Sequence, residues 1–281
     1  MKSEFLIPLW YTIKRDMIRQ NNTVVRSTLR FFSSMLRDYV WIPIYVFWTV
    51  EGLGSLNILG AFLHLIAFSI AYEIGYIYAD NIGIKREKIT TRNVVYEEPV
   101  PDKEIYLSMI IRLVVLSVLL FIMQAWLNYF IVLLYAMGIF IFILHAHLTE
   151  KLRIFTFIGL RFNKGFIPYA FLIFLLAPEE IWVISFLLLG ISIFYSISYA
   201  SRKLELRFIN VYEPKYFWLR FLLTFLLAAP AAYFSRYSLE KFSWMYGVFT
   251  LTHLVIIGFS QISRLINNHN TIFQKFFEAG G

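Results

Sequence analysis

Two carboxylates sit where a lipid interior would penalise them. In Tyr72-Glu-Ile-Gly-Tyr-Ile-Tyr-Ala-Asp80, Glu73, Tyr76 and Asp80 are spaced i, i+3 and i+7, which puts them on one helix face. Acids stacked in this way repel unless a cation lies between them or one is protonated. Cation binding is the chemistry they suggest, with Glu73 and Asp80 as metal ligands at a reaction centre. The plainer reading pairs Glu73 with a Lys or Arg of another helix, Arg112 among them, and leaves Asp80 at a wet helix end. Cations crowd the same region. Lys85, Arg86, Lys88 and Arg92 follow directly, and Arg161 and Lys164 lie one turn apart inside an apolar stretch. Each of the last two needs a partner or a route to surface water. His145 and His147 are i, i+2 on a helix, so their side chains diverge and form no chelate. His64 and His253 are expected as hydrogen-bonded core residues.

Such side chains must be carried by helices in lipid. The chain has 281 residues, 59% apolar and 16% charged, against roughly a quarter charged in soluble domains. This excludes an ordinary water-soluble enzyme. With no Cys there is no disulfide framework, thiolate metal site or Cys nucleophile. Apolar runs at 39–54, 57–79, 105–125, 127–147, 154–177, 181–200, 216–235 and 242–262 predict an all-α, polytopic membrane bundle of about eight transmembrane helices. Lys and Arg concentrate in alternate loops, with seven before residue 38 and five in 81–104, while the opposite loops hold only Arg236 and Lys241. The positive-inside rule then predicts a multi-pass protein of the cell membrane with both termini cytoplasmic. Residues 1–38 are expected as a basic segment on the membrane surface. Residues 39–262 form the bundle, in four-helix halves of about 39–147 and 154–262, and 263–281 form a cytoplasmic tail. The net charge of +8 lies beside the spans, so membrane lipids rather than nucleic acid are the expected partner.

A faint repeat relates the two halves. Ser69-Ile-Ala-Tyr72 near the end of the second run is echoed by Ser196-Ile-Ser-Tyr199 near the end of the sixth. In that register Glu73 matches Ala200 and Asp80 matches Arg207. The first half ends in carboxylates and the second in Arg202, Lys203 and Arg207. Facing each other at one end of a bundle, these groups suit a phosphorylated substrate with Mg²⁺ between them.

This layout resembles the UbiA superfamily of intramembrane prenyltransferases, all-helical bundles whose acidic motifs after helices two and six hold Mg²⁺ against a polyprenyl diphosphate. Tyr72–Arg92 takes the first place, with Tyr72 at the family's Asn, Glu73, Tyr76 and Asp80 at its three Asp positions, and Lys85, Arg86 and Arg92 in its basic stretch. His147–Arg153 looks like the family's basic start to the fifth helix, with Lys151 the closest match. Tyr199–Arg207 takes the second motif, where only Glu205 is acidic. The resemblance implies a Mg²⁺-dependent transferase acting on an isoprenoid lipid phosphate at the cytoplasmic rim, with Glu73, Asp80 and Glu205 on the metal. Arg86, Arg92, Lys151, Lys164, Arg202, Lys203 and Arg207 would neutralise phosphate, and Tyr72, Tyr76 and Tyr199 would face the prenyl cation. Prenyl transfer and phosphoribosyl transfer to a polyprenyl phosphate both fit, with the acceptor unassigned. The thinned acidic motifs also fit a catalytically silent lipid-phosphate binder or scaffold of the same fold. A transporter fits less well, because Gly75, Gly165, Pro168 and Pro230 form no symmetric pair of helix interruptions.

Overall fold

The computed structural model describes residues 3–20, 23–28, 38–82, 100–123, 129–149, 151–203 and 216–278. Among these the fold is all-α. Two short helices, α1 (Ser3–Leu6) and α2 (Trp10–Gln20), precede α3 (Trp41–Thr49), α4 (Ser55–Asn81), α5 (Asp102–Ile122) and α6 (Tyr129–His147). Then come α7 (Arg153–Phe166), a 3₁₀ turn (Ile167–Tyr169), α8 (Ala170–Ile173), α9 (Pro178–Lys203), α10 (Phe217–Phe234) and α11 (Leu239–Glu278). Four of them, α4, α5, α6 and α9, are long and apolar enough to cross a membrane, and α10 is apolar but shorter.

Two apolar runs are built differently from a simple span. The first, 39–54, contains a helix of only nine residues, about 14 Å long against the ~30 Å of a hydrocarbon core. Gly52, at φ 78°, occupies the left-handed region in the turn that ends this run. The helix still links two levels of the bundle. Asp38, just before it, meets Tyr195, while Tyr45 within it meets Glu180, and those two partners lie about 22 Å apart along α9 at 1.5 Å per residue. The fifth run, 154–177, breaks into α7, the 3₁₀ turn and α8. Pro168 sits in that turn, where its missing N–H would interrupt an α-helical ladder.

Burial sorts the helices. In α4 and α9, 56% and 61% of the apolar window is buried, against 22% in α5; the first two are therefore the inner helices, and α5 is peripheral. On α5, Leu107, Ile110, Val114, Val118 and Phe121 are exposed at helical spacing, an apolar stripe suited to contact with lipid. α9 packs against α10 and α7, and α4 against α5 and α6. The α9–α10 approach depends on a missing side chain, because a Cβ on Gly190 would lie 2.7 Å from the Thr224 Cα. α3 packs on α11 and α8.

A separate small apolar cluster of Phe5, Tyr11, Ile77, Val100 and Ile105 ties the N-terminal helices to α4 and α5. The segment expected on the membrane surface is thus docked on the bundle over α1 and α2. Phe5 and Tyr11 are fully buried, whereas Leu6, Ile7 and Ile18 remain exposed.

Candidate functional site

Glu73 and Asp80 share a face of α4, as their spacing predicts, and each is answered by an arginine. The Glu73 Oε2 accepts from Arg112 Nε at 2.7 Å, with both side chains fully buried. Glu73 also accepts from the backbone N–H of Leu9 at 2.5 Å and of Thr12 at 3.0 Å. These amides stand at the start of α2, where a helix leaves its first N–H groups without internal partners. Leu9 has no side-chain oxygen to cap them, and a carboxylate from another helix does so instead. A negative charge there also favours the positive end of the helix dipole. Leu9 itself has φ 70°, a left-handed conformation that costs a side-chain-bearing residue ~1–2 kcal/mol. Its N–H bond to Glu73 is one of the contacts that offset this strain.

Arg112 completes the clamp. It donates to the carbonyls of Phe5 at 2.9 Å and Ile7 at 3.0 Å, and to the Ser108 Oγ at 2.6 Å. One buried ion pair therefore holds both the end of α1 and the beginning of α2. One helical level away, Arg15 of α2 bonds Asp80 through Nε at 2.5 Å and lies 4.2 Å from the Tyr76 ring centroid. Burial alone would lower the Arg15 pKa, but the Asp80 carboxylate and Tyr76 reverse this, and the net direction is upward. Asn81 adds a bond to the Tyr11 hydroxyl at 3.1 Å.

A metal ion does not fit this arrangement. Two carboxylates face two guanidiniums, so the local charge is already balanced, and both Glu73 oxygens are engaged by N–H donors. Among the described residues no group of three His, Asp or Glu is placed to hold a metal. Glu205 and Arg207 lie outside the described residues, as do Arg86 and Arg92. Arg202 and Lys203 end α9, but their side chains are also outside the described set. Lys151 is exposed, and Lys164 is buried on α7. The tyrosines pack against other rings. Tyr72 meets Tyr76 and Phe142 edge-on, and Tyr199 stacks on Phe157 with centroids 4.3 Å apart.

A second polar cluster gathers α7, α9, α10, α11 and the residues before α3. Asp38 Oδ1 accepts from the Tyr195 hydroxyl at 2.7 Å. Arg220 lies 3.6 Å from the same carboxylate oxygen and Arg161 3.7 Å from its other oxygen. The Arg161 guanidinium also stacks 3.8 Å from the Tyr195 ring centroid. Arg220 Nη2 meets His253 Nε2 at 2.5 Å, and His253 Nδ1 meets the Phe249 carbonyl at 2.7 Å. His253 Nε2 also lies 3.2 Å from the Asp38 carbonyl. Its shorter contact is with Arg220, which can only donate, so Nε2 accepts there, the proton sits on Nδ1 and the imidazole is neutral. Among the described residues, Nε of Arg161 and Nε of Arg220 are buried without a hydrogen-bond partner. On α7, Leu160 and Asn163 line a narrow, largely apolar crevice of about 10 Å³, room for about one water, together with Phe68, Tyr72 and Phe142.

Sequence reasoning identified Arg161 as a cation in need of a partner but missed Asp38, Tyr195, Arg220 and the docking role of Arg15. Arg220 carried the same signal, a charge inside the apolar run 216–235. His253 is buried and hydrogen-bonded as expected, and so is His64, which meets the Tyr135 hydroxyl at 3.0 Å. No protein-family model, curated protein or solved structure matches this chain.

Proposed function

We propose that this is a multi-pass membrane protein, with both termini cytoplasmic, that binds the phosphate-bearing head of an isoprenoid lipid. The single observation carrying this reading is an asymmetry between acids and bases. Glu73 and Asp80, the acids a metal-dependent transferase would need, are each engaged by an arginine. Arg161 and Arg220, by contrast, have one carboxylate between them among the described residues. A membrane bundle with a buried cationic surplus attracts anions, and a cation buried in lipid marks a functional position by default. The UbiA-like layout supplies the isoprenoid part of the reading. Mg²⁺-dependent transfer is the second reading. It requires Glu73 and Asp80 to exchange their arginine partners for metal, so the binder is preferred.

The test is identification by mass spectrometry of lipid that copurifies with the protein, with Mg²⁺ present and after its removal by chelation. An isoprenoid phosphate retained equally under both conditions is the expected result. Retention that collapses with chelation, or turnover of added polyprenyl diphosphate, would replace the binder with the transferase.

A further inference from the structure

We propose that the Arg161–Arg220 pair is an anion site of this protein and that it takes a single phosphate group rather than a diphosphate. This rests on the lipid-phosphate reading for its biological ligand but not for its chemistry. The charge count comes first. With His253 neutral, two guanidiniums and the Asp38 carboxylate leave one positive charge over among the described residues. The Arg220 and Asp38 side chains are 4% exposed and that of Arg161 is 14% exposed, so water screens this charge poorly. Uncompensated charge in such a place costs several kcal/mol.

Hydrogen bonding points the same way. Guanidinium N–H groups are obligate donors, and the buried Nε of each arginine lacks an acceptor among the described residues. Oxyanions, which accept several charge-assisted bonds, supply both the missing acceptors and the missing charge. The Tyr195 ring fixes the Arg161 plane at 3.8 Å, and the Tyr39 hydroxyl holds the Arg161 carbonyl at 3.1 Å, so the guanidinium is preorganised. One surplus charge matches one phosphate in its monoanionic form, or a diester. A diphosphate would bring further negative charge, more than the single surplus charge counted among the described residues of this cluster balances.

The experiment measures binding to the purified full-length protein in detergent, by native mass spectrometry and thermal shift. The probes are farnesyl phosphate, farnesyl diphosphate, farnesol and inorganic phosphate. Farnesyl phosphate should bind best. Arg161→Gln should weaken it by about tenfold or more, as expected for the loss of one charge-assisted contact. Asp38→Asn gives the decisive sign, because it keeps a hydrogen-bond acceptor for Tyr195, removes no cation and raises the surplus by one. It should tighten phosphate binding several-fold and enlarge the thermal shift that phosphate produces. This variant also serves where Arg220→Gln fails to fold. If Asp38→Asn only lowers the melting temperature and phosphate does not restore it, the cluster is purely structural and the site assignment falls. Farnesyl phosphate binding that is unchanged in Arg161→Gln and Asp38→Asn overturns the site while leaving the lipid reading intact. Inorganic phosphate binding as well as farnesyl phosphate, with the same arginine dependence, upholds the site and overturns the lipid reading. No binding of any phosphate by the unsubstituted protein overturns both.

Discussion

Glu73→Gln separates a clamp from a metal ligand. The substitution keeps the size of the side chain, removes its charge and turns one acceptor oxygen into a donor NH₂. Three donors converge on the carboxylate, from Leu9, Thr12 and Arg112. A glutamine can satisfy those on one oxygen but sets donor against donor at the other. Breaking a buried ion pair on one side costs ~3–5 kcal/mol. Here Arg112 keeps the carbonyls of Phe5, Ile7 and Ser108 and the Ser108 Oγ as acceptors. The loss should therefore fall at the lower end, about 3 kcal/mol, which is roughly a hundredfold in a local equilibrium at 1.4 kcal/mol per tenfold. The natural assay is amide hydrogen exchange at Leu9 and Thr12, whose N–H groups report the clamp directly. Their protection should drop by about two orders of magnitude, equally with and without Mg²⁺. Arg112→Met added to Glu73→Gln should cost less than the sum of the two single changes, because each single change strands the other partner. Unchanged exchange at these amides, or a loss of protection confined to Mg²⁺-free samples, would refute the clamp.

Other perturbations probe other parts of the structure. Arg15→Ala should loosen α2 by no more than about 1 kcal/mol, since that side chain is 21% exposed, and rising salt should mimic part of the effect; exchange along α2 in a salt series measures both. Gly190→Ala should destabilise the protein by about 1–3 kcal/mol in thermal unfolding, because the Cβ would press on the Thr224 backbone, which cannot rotate away as a side chain could. For topology, single cysteines at the exposed positions Lys103 and Lys241 should differ, with only the second reacting with an impermeant thiol reagent applied outside intact cells. Labelling of the Lys103 position from outside would invert the orientation. Glu180 would be a poor reporter, since it is buried and accepts from the Tyr45 hydroxyl at 2.8 Å.

What the sequence disclosed follows the range of the interactions. Helix positions were legible because apolar runs are local, and the break near Gly165 and Pro168 could be read from residue type alone. The shared face of Glu73 and Asp80 was equally local, a matter of 3.6 residues per turn. Their partners were not local. Arg112 was a visible option because a lone charge in an apolar run has few places to turn, but Arg15 sits 65 residues from Asp80 in a segment that reads as an ordinary amphipathic helix. Asp38 was hidden for another reason. It lies at the edge of a run, where a solvated acid is unremarkable, and its burial depends on Tyr195, 157 residues away. The metal reading arose because two acids stacked on one helix face call for a cation, and spacing alone does not say whether that cation is a metal ion or an arginine. The described structure meets that need with side chains of the chain itself.

The clamp at Glu73 also bears on how the protein assembles. The amides of Leu9 and Thr12 find their acceptor 64 and 61 residues later in the chain, and the carbonyls of Phe5 and Ile7 find their donor 107 and 105 residues later. During synthesis the turn between α1 and α2 emerges before either partner exists. Its backbone groups cannot make these bonds until α4 and α5 have both been made and have paired. The earliest of these elements to be made is therefore the last to lock. Its seating reports that the hairpin of α4 and α5 has formed in the right register, because a shift of either helix would separate the two halves of the clamp.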